Sequence, residues 1–82
     1  MTDQITYSLG RRLRQRRRGL QISQAELGAA SGVSFQQIHK YETGQNRISA
    51  ARLWTIAKIL DAPIDSFFTD TADGGAPVGD SA

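Results

Sequence analysis

Apolar residues recur along most of this chain at helical intervals and nowhere in strict alternation. Ile5, Leu9, Leu13 and Leu20 stand near three- to four-residue spacing, with Arg filling most positions from Arg11 to Arg18. That pattern predicts an amphipathic helix over residues 5–18, ended by Gly19. Ser23 and Glu26 form a capping box, in which each side chain satisfies a backbone donor of the other residue. It opens a short second helix over residues 24–31, carrying Ala25, Leu27, Ala29 and Ala30, and Gly32 breaks it. A second box, Ser34 with Gln37, opens a third helix over about residues 34–43, with Ile38 and Tyr41 as apolar positions and Gly44 as its end. Gln45, Asn46 and Arg47 read as a polar loop. Ser49 then caps a fourth helix with the stripe Leu53, Ile56, Ala57 and Leu60. Pro63 suits the first turn of a short fifth helix carrying Ile64, Phe67 and Phe68. The expected fold class is all-α, a compact five-helix domain over residues 1–68. Residues 69–82 lose periodicity and fill with Gly, Asp, Ala, Ser and Thr, the composition of a disordered acidic tail.

Composition narrows the function classes. At 82 residues the chain has room for one small domain, which leaves little space for a deep substrate cleft. Cysteine is absent and His39 is the sole histidine, so a zinc site and metal-dependent hydrolysis are set aside. No cofactor is expected. No stretch approaches the roughly 18 apolar residues of a membrane span, and the N-terminus lacks the basic-then-apolar order of a secretion signal. The expected location is cytoplasmic, with the nucleoid.

Charge changes the picture more by its distribution than by its sum of +2. Residues 1–60 hold all ten Lys and Arg but only three acids, Asp3, Glu26 and Glu42, a balance of +7. Five Asp and no base follow from Asp61 onward. A basic body with an acidic end points to a polyanionic partner, most commonly nucleic acid.

Two short helices joined by about three residues that include Gly have the geometry of a helix-turn-helix, whose second helix can enter a DNA major groove. Helical hairpins that only pack a core share that spacing. The residues at fixed positions say more: Ser23-Gln24-Ala25-Glu26-Leu27, then Gly32-Val33-Ser34, then Ile38, Tyr41-Glu42 and Gly44. They closely resemble the lambda-repressor-like (Cro, repressor and XRE) helix-turn-helix family over about residues 5–68. The stretch Phe35 to Gly44, with Asn46 and Arg47, is also similar to small alphaproteobacterial regulators of that family. Two positions depart from its pattern. Gln21 stands where many members place a small turn residue, and Phe35 where many place a polar base reader.

A wheel of the third helix at about 100° per residue divides it in two. Gln36, His39, Lys40 and Thr43 share one face, Ile38, Tyr41 and Glu42 the other, with Phe35 and Gln37 on the flanks. Gln can pair bidentately with adenine and Lys with guanine O6 and N7. The wheel alone fits a solvated face as well; the family resemblance makes it the groove-reading face, with Phe35, Gln36, His39 and Lys40 as candidate base readers and Phe35 suited to a thymine methyl or to covering the gap between helices. Gln37 is committed to its capping box. The resemblance implies phosphate contacts from Gln24, at the start of the second helix, and from Thr43, Asn46, Arg47 and Ser49 near the following loop. Glu42 lies on the apolar face, where an unpaired carboxylate is costly, so the first helix must supply a cation. Periodicity leaves Arg16 and Arg17 equally placed for this, and the family resemblance selects Arg17.

The expectation is a sequence-specific regulator of transcription that binds double-stranded DNA and represses by occluding a promoter, without enzymatic activity. One copy covers one half-site, which implies a homodimer on a near-palindromic operator. No membrane and no small-molecule effector enter this reading. An antitoxin or a restriction-modification controller would carry the same motif. A protein-interaction module that has lost DNA binding, and an RNA binder using the arginine-rich helix, are rivals from other classes.

Overall fold

The structure, a computed structural model, describes residues 3–68. Four α-helices follow one another: α1 (Gln4–Gly19), α2 (Gln24–Ser31), α3 (Phe35–Glu42) and α4 (Ala50–Ile59), then a 3-10 helix (Ile64–Phe68). The tail predicted over residues 69–82 lies outside the described residues.

Each α-helix begins on a side chain that accepts a first-turn N–H. Asp3 accepts from Thr6, Ser23 from Glu26, Ser34 from Gln37 and Ser49 from Arg52. The box of α2 is complete, with Glu26 accepting the Ser23 N–H at 2.7 Å. In α3 the Ser34 hydroxyl takes the Gln37 N–H at 3.1 Å, which is one half of such a box.

Three helices finish alike. At α3 the N–H groups of Gly44 and Gln45 return to the carbonyls of Tyr41 and Lys40, with Gly44 in the left-handed region at φ 80°. The same closure ends α1 and α4, but there Gln21 (φ 60°) and Asp61 (φ 52°) take the left-handed position. Gly19, expected as the breaker, is instead the last residue of α1.

The expected five-helix count is corrected to four α-helices and one 3-10 turn. Five residues after Pro63 are too few to sustain the i to i+4 ladder, and the tighter i to i+3 pattern suits such short pieces. The Ser66 N–H reaches the Pro63 carbonyl at 2.9 Å, and the Ser66 hydroxyl donates to the same oxygen at 2.6 Å.

One core joins the elements. Leu9 and Leu13 of α1, Leu27 of α2, Ile38 and Tyr41 of α3, Leu53, Ile56 and Ala57 of α4, then Leu60 and Phe67, form its buried cluster. α1 packs on α3 and on the 3-10 turn, while α2 packs on α3 and α4. Two buried glycines set how closely the backbones meet. A Cβ at Gly10 would strike the Tyr41 carbonyl oxygen, and one at Gly28 would strike the Val33 carbonyl oxygen. Gly19 faces open space.

The same substitution should therefore act with opposite sign. Gly28→Ala gains about 1 kcal/mol of helix propensity but must push backbone apart, and should cost about 1–3 kcal/mol net. Gly19→Ala should be stabilising by about 0.5–1 kcal/mol. Urea unfolding of the two variants measures both.

Candidate nucleic-acid interface

The inner face of α3 is held by Ile38, fully buried, and by Tyr41 and Glu42 at 9% and 4% exposure. An unpartnered carboxylate there would be prohibitive, so the donors around it decide the site. Arg17 of α1 meets Glu42 in the two-pronged geometry that suits guanidinium and carboxylate. Its Nε donates to Oε2 at 2.5 Å and its Nη2 to Oε1 at 3.0 Å. Its remaining arm, Nη1, donates to the Ile22 carbonyl at 2.7 Å. Arg17 therefore ties α1, the turn before α2, and α3 together. Arg16 points elsewhere: its Nε and Nη2 donate to the carbonyls of Leu60 and Asp61, at the end of α4. Arg52 similarly donates to the Ser31 carbonyl, at the end of α2.

Opposite this anchored face, Phe35, Gln36, His39, Lys40 and Thr43 are all exposed. Phe35 is 52% exposed. An open cleft of about 580 Å³ runs beside this surface, lined by Arg14, Arg17 and Arg18 of α1, by Gln24, and by Phe35 and His39. Arg14 and Arg18, one helical turn apart and exposed, give it a basic wall that the sequence reading left unassigned.

The residues considered for phosphate contact fall into different situations. Gln24 turns inward: its Nε2 donates to Glu42 Oε1 at 3.0 Å and lies 3.4 Å from His39 Nδ1. The Thr43 hydroxyl donates to the His39 carbonyl at 3.1 Å and accepts from Gln45 Nε2 at 2.9 Å. Ser49 accepts the Arg52 N–H and keeps its hydroxyl proton available. Asn46 is exposed. The Arg47 side chain, 82% exposed, meets Asp3 at 3.0 Å. The Thr6 N–H and hydroxyl, and behind them the Arg47 guanidinium, hold the Asp3 carboxyl below its ordinary value. Among the described residues no cluster of His, Asp and Glu could hold a metal ion. No helix there is long and apolar enough to cross a membrane.

Two short helices at a tight turn, the second fixed on one side and polar on the other, define a helix-turn-helix. A helix-turn-helix family profile matches residues 13–67, and the chain belongs to that family. It is 58% identical over 70 residues to an uncharacterized transcriptional regulator in the ATPase CF(0) region of Rhodospirillum rubrum, covering 85% of this chain and 65% of that protein. The chain spans only about half the length of other curated relatives, which are named HTH-type transcriptional regulators. Among solved structures, the restriction-modification controller protein C.AhdI from Aeromonas hydrophila superposes with a TM-score of 0.74 at 28% identity, covering 77% of this chain and 96% of that one. The P22 c2 repressor, crystallised with a synthetic operator, gives a TM-score of 0.68 at 34% identity, covering 72% and 89%.

Glu42→Ala should destabilise the fold by about 3–5 kcal/mol, because it strands the Arg17 guanidinium against a nearly closed surface. A double-mutant cycle with Arg17→Ala should show strong coupling. The matching cycle with Arg16→Ala should be additive to within about 0.5 kcal/mol, since Arg16 serves the end of α4.

Proposed function

We propose that this chain is a sequence-specific regulator of transcription that lays the outer face of α3 in the major groove of double-stranded DNA. The observation that carries the reading is the division of α3. Its inner face is locked by Ile38, Tyr41 and the Glu42 ion pair, while Gln36, His39 and Lys40 stand exposed on a rigid support. Gln36 suits adenine and Lys40 suits guanine, with Phe35 beside them for a thymine methyl. Backbone contacts come from both sides of α3. The first-turn N–H groups of α2, beginning at Gln24, favour an anion, and Asn46, Arg47 and Ser49 offer donors from the loop before α4. Thr43 joins that set once its hydroxyl leaves the His39 carbonyl. Asp3 holds Arg47 only through an exposed pair of the kind worth little, so a phosphate can replace it.

The reading contains no catalytic step, cofactor or membrane, and it places the protein with the nucleoid. A homodimer on a near-palindromic operator follows from the small footprint of one copy, with repression by promoter occlusion. Trp54, Ile64 and Phe68, exposed on α4 and the 3-10 turn, are the apolar surface for that pairing, whereas Phe67 is buried in the core. The likeness to C.AhdI supports a second biology for the same site, control of a restriction-modification operon.

Selection of bound sites from random duplexes tests the reading, with a single-stranded RNA competitor as the contrast. A preferred, salt-sensitive duplex site is expected. Gln36→Ala and Lys40→Ala should each cost about 1–3 kcal/mol there and relax specificity at one position. Arg47→Ala should weaken all duplexes alike and lower the log-log salt slope by about 0.9. Equal behaviour of the two groups would overturn the division into readers and clamps.

A further inference from the structure

The buried ion pair reaches the DNA-facing surface through one side chain. Both Glu42 oxygens accept a hydrogen bond from the Arg17 guanidinium. The Gln24 group 3.0 Å from Glu42 Oε1 must then be the amide nitrogen, since its oxygen would face another acceptor. That fixes which way the Gln24 amide is turned. The same nitrogen lies 3.4 Å from His39 Nδ1, where its second hydrogen finds a partner if Nδ1 accepts. A protonated Nδ1 would set two donors against each other, so Nδ1 accepts. A neutral imidazole accepting at Nδ1 carries its proton on Nε2, at the far side of the ring.

We infer that Gln24 is a positioning residue that sets the tautomer and orientation of His39, and that His39 thereby presents an Nε2–H donor to an acceptor on duplex DNA. This rests on the DNA-binding reading above. It excludes the exocyclic amino groups of cytosine and adenine as His39 partners, because these are donors. The acceptors left to it are N7 of either purine, guanine O6, thymine O4 or a phosphate oxygen. The chain of fixation runs from Arg17 to Glu42, then to Gln24, then to His39, so a buried electrostatic contact selects what an exposed ring can recognise. The Gln24 amide donors are both used inside the protein. Its phosphate contact at the start of α2 therefore falls to the backbone N–H, while its side chain serves α3.

His39 is the sole histidine of the chain, so its ring nitrogens can be observed without ambiguity. In nitrogen-resolved spectra of the free protein with the ring neutral, Nδ1 should be unprotonated and shifted by the bond it accepts. Gln24→Leu should return it to the position of an unbraced histidine. A protonated Nδ1, or identical ring signals in wild type and variant, would overturn the inference. Melting curves establish that the variant is folded, with Gln24→Met as the replacement if it is not.

On a selected duplex, His39→Ala and Gln24→Leu should each weaken binding by about three- to tenfold, the worth of one modest hydrogen bond. The double variant should be no worse than His39→Ala alone. His39→Gln, whose amide nitrogen lies near the place of Nε2, should recover binding, and His39→Asn should not. Deazapurines, which lack N7, bases altered at guanine O6 or thymine O4, and methylphosphonate linkages separate these acceptors. One of them should weaken the wild type while leaving His39→Ala unchanged. Equal sensitivity of both proteins at every position would overturn the inference. If wild type selects no duplex, the DNA-binding reading fails, and the ring spectra still decide whether Gln24 sets the tautomer.

Discussion

Everything at the interface hangs from a carboxylate buried at the end of an eight-residue helix. A helix as short as α3 has little stability of its own, so its position is imposed by what it packs against. Glu42 supplies a directional constraint that apolar contact cannot. It takes two bonds from Arg17 and a third from Gln24, and Arg17 spends its last arm on the Ile22 carbonyl. Replacing such a pair by apolar residues is often neutral or stabilising for folding, whereas breaking it from one side is costly. What the pair gives this fold is register: α3 cannot slide or roll without stranding a charge. Gly10 strengthens the constraint, because it lets α1 approach the carbonyls of Tyr41 and Glu42 more closely than any side chain would permit.

The arginine-rich α1 does more for the fold than its charge suggests. Arg17 is buried, and Arg16 serves the carbonyls at the end of α4. Arg52 in α4 does the same for the end of α2. Helix ends leave four carbonyls without intrahelical partners, and a guanidinium can meet one while offsetting the negative end of the helix. Arg11, Arg14 and Arg18 remain outward, with Arg11 resting 5.9 Å from the Tyr7 ring centroid. Arg14 and Arg18 then form the wall of the cleft beside Gln24 and His39. Net charge overstates how many cations are left outward, because Arg16, Arg17 and Arg52 are spent on the fold.

Helix starts were legible because their signals are local. Ser23, Ser34 and Ser49 each cap the helix predicted after them, and Gly44 takes the left-handed turn that glycine favours. Asp61 was not legible as a helix-ending residue, and Gln21 only through the family resemblance, since L residues rarely adopt positive φ and only the path of the chain requires it there. The 3-10 turn was read as an α-helix because apolar spacing over five residues does not separate the two. Gly10 and Gly28 look like weak points in their helices until the neighbouring backbones are in place. At the interface, the wheel of α3 separated the exposed residues from the buried ones. Periodicity alone could not choose between Arg16 and Arg17, which point to different helices from adjacent positions. The inward turn of Gln24 depends on a carboxylate 18 residues away, a relation that no local pattern records.

The orientation of α3 on DNA can be read by methylation protection on a selected duplex, which reports the major groove at guanine N7 and the minor groove at adenine N3. A helix held outward by the Arg17–Glu42 pair and inserted in the major groove should protect guanine N7 within the site and leave adenine N3 there reactive. Protection confined to adenine N3, or uniform reactivity along a duplex that the protein demonstrably binds, would contradict it.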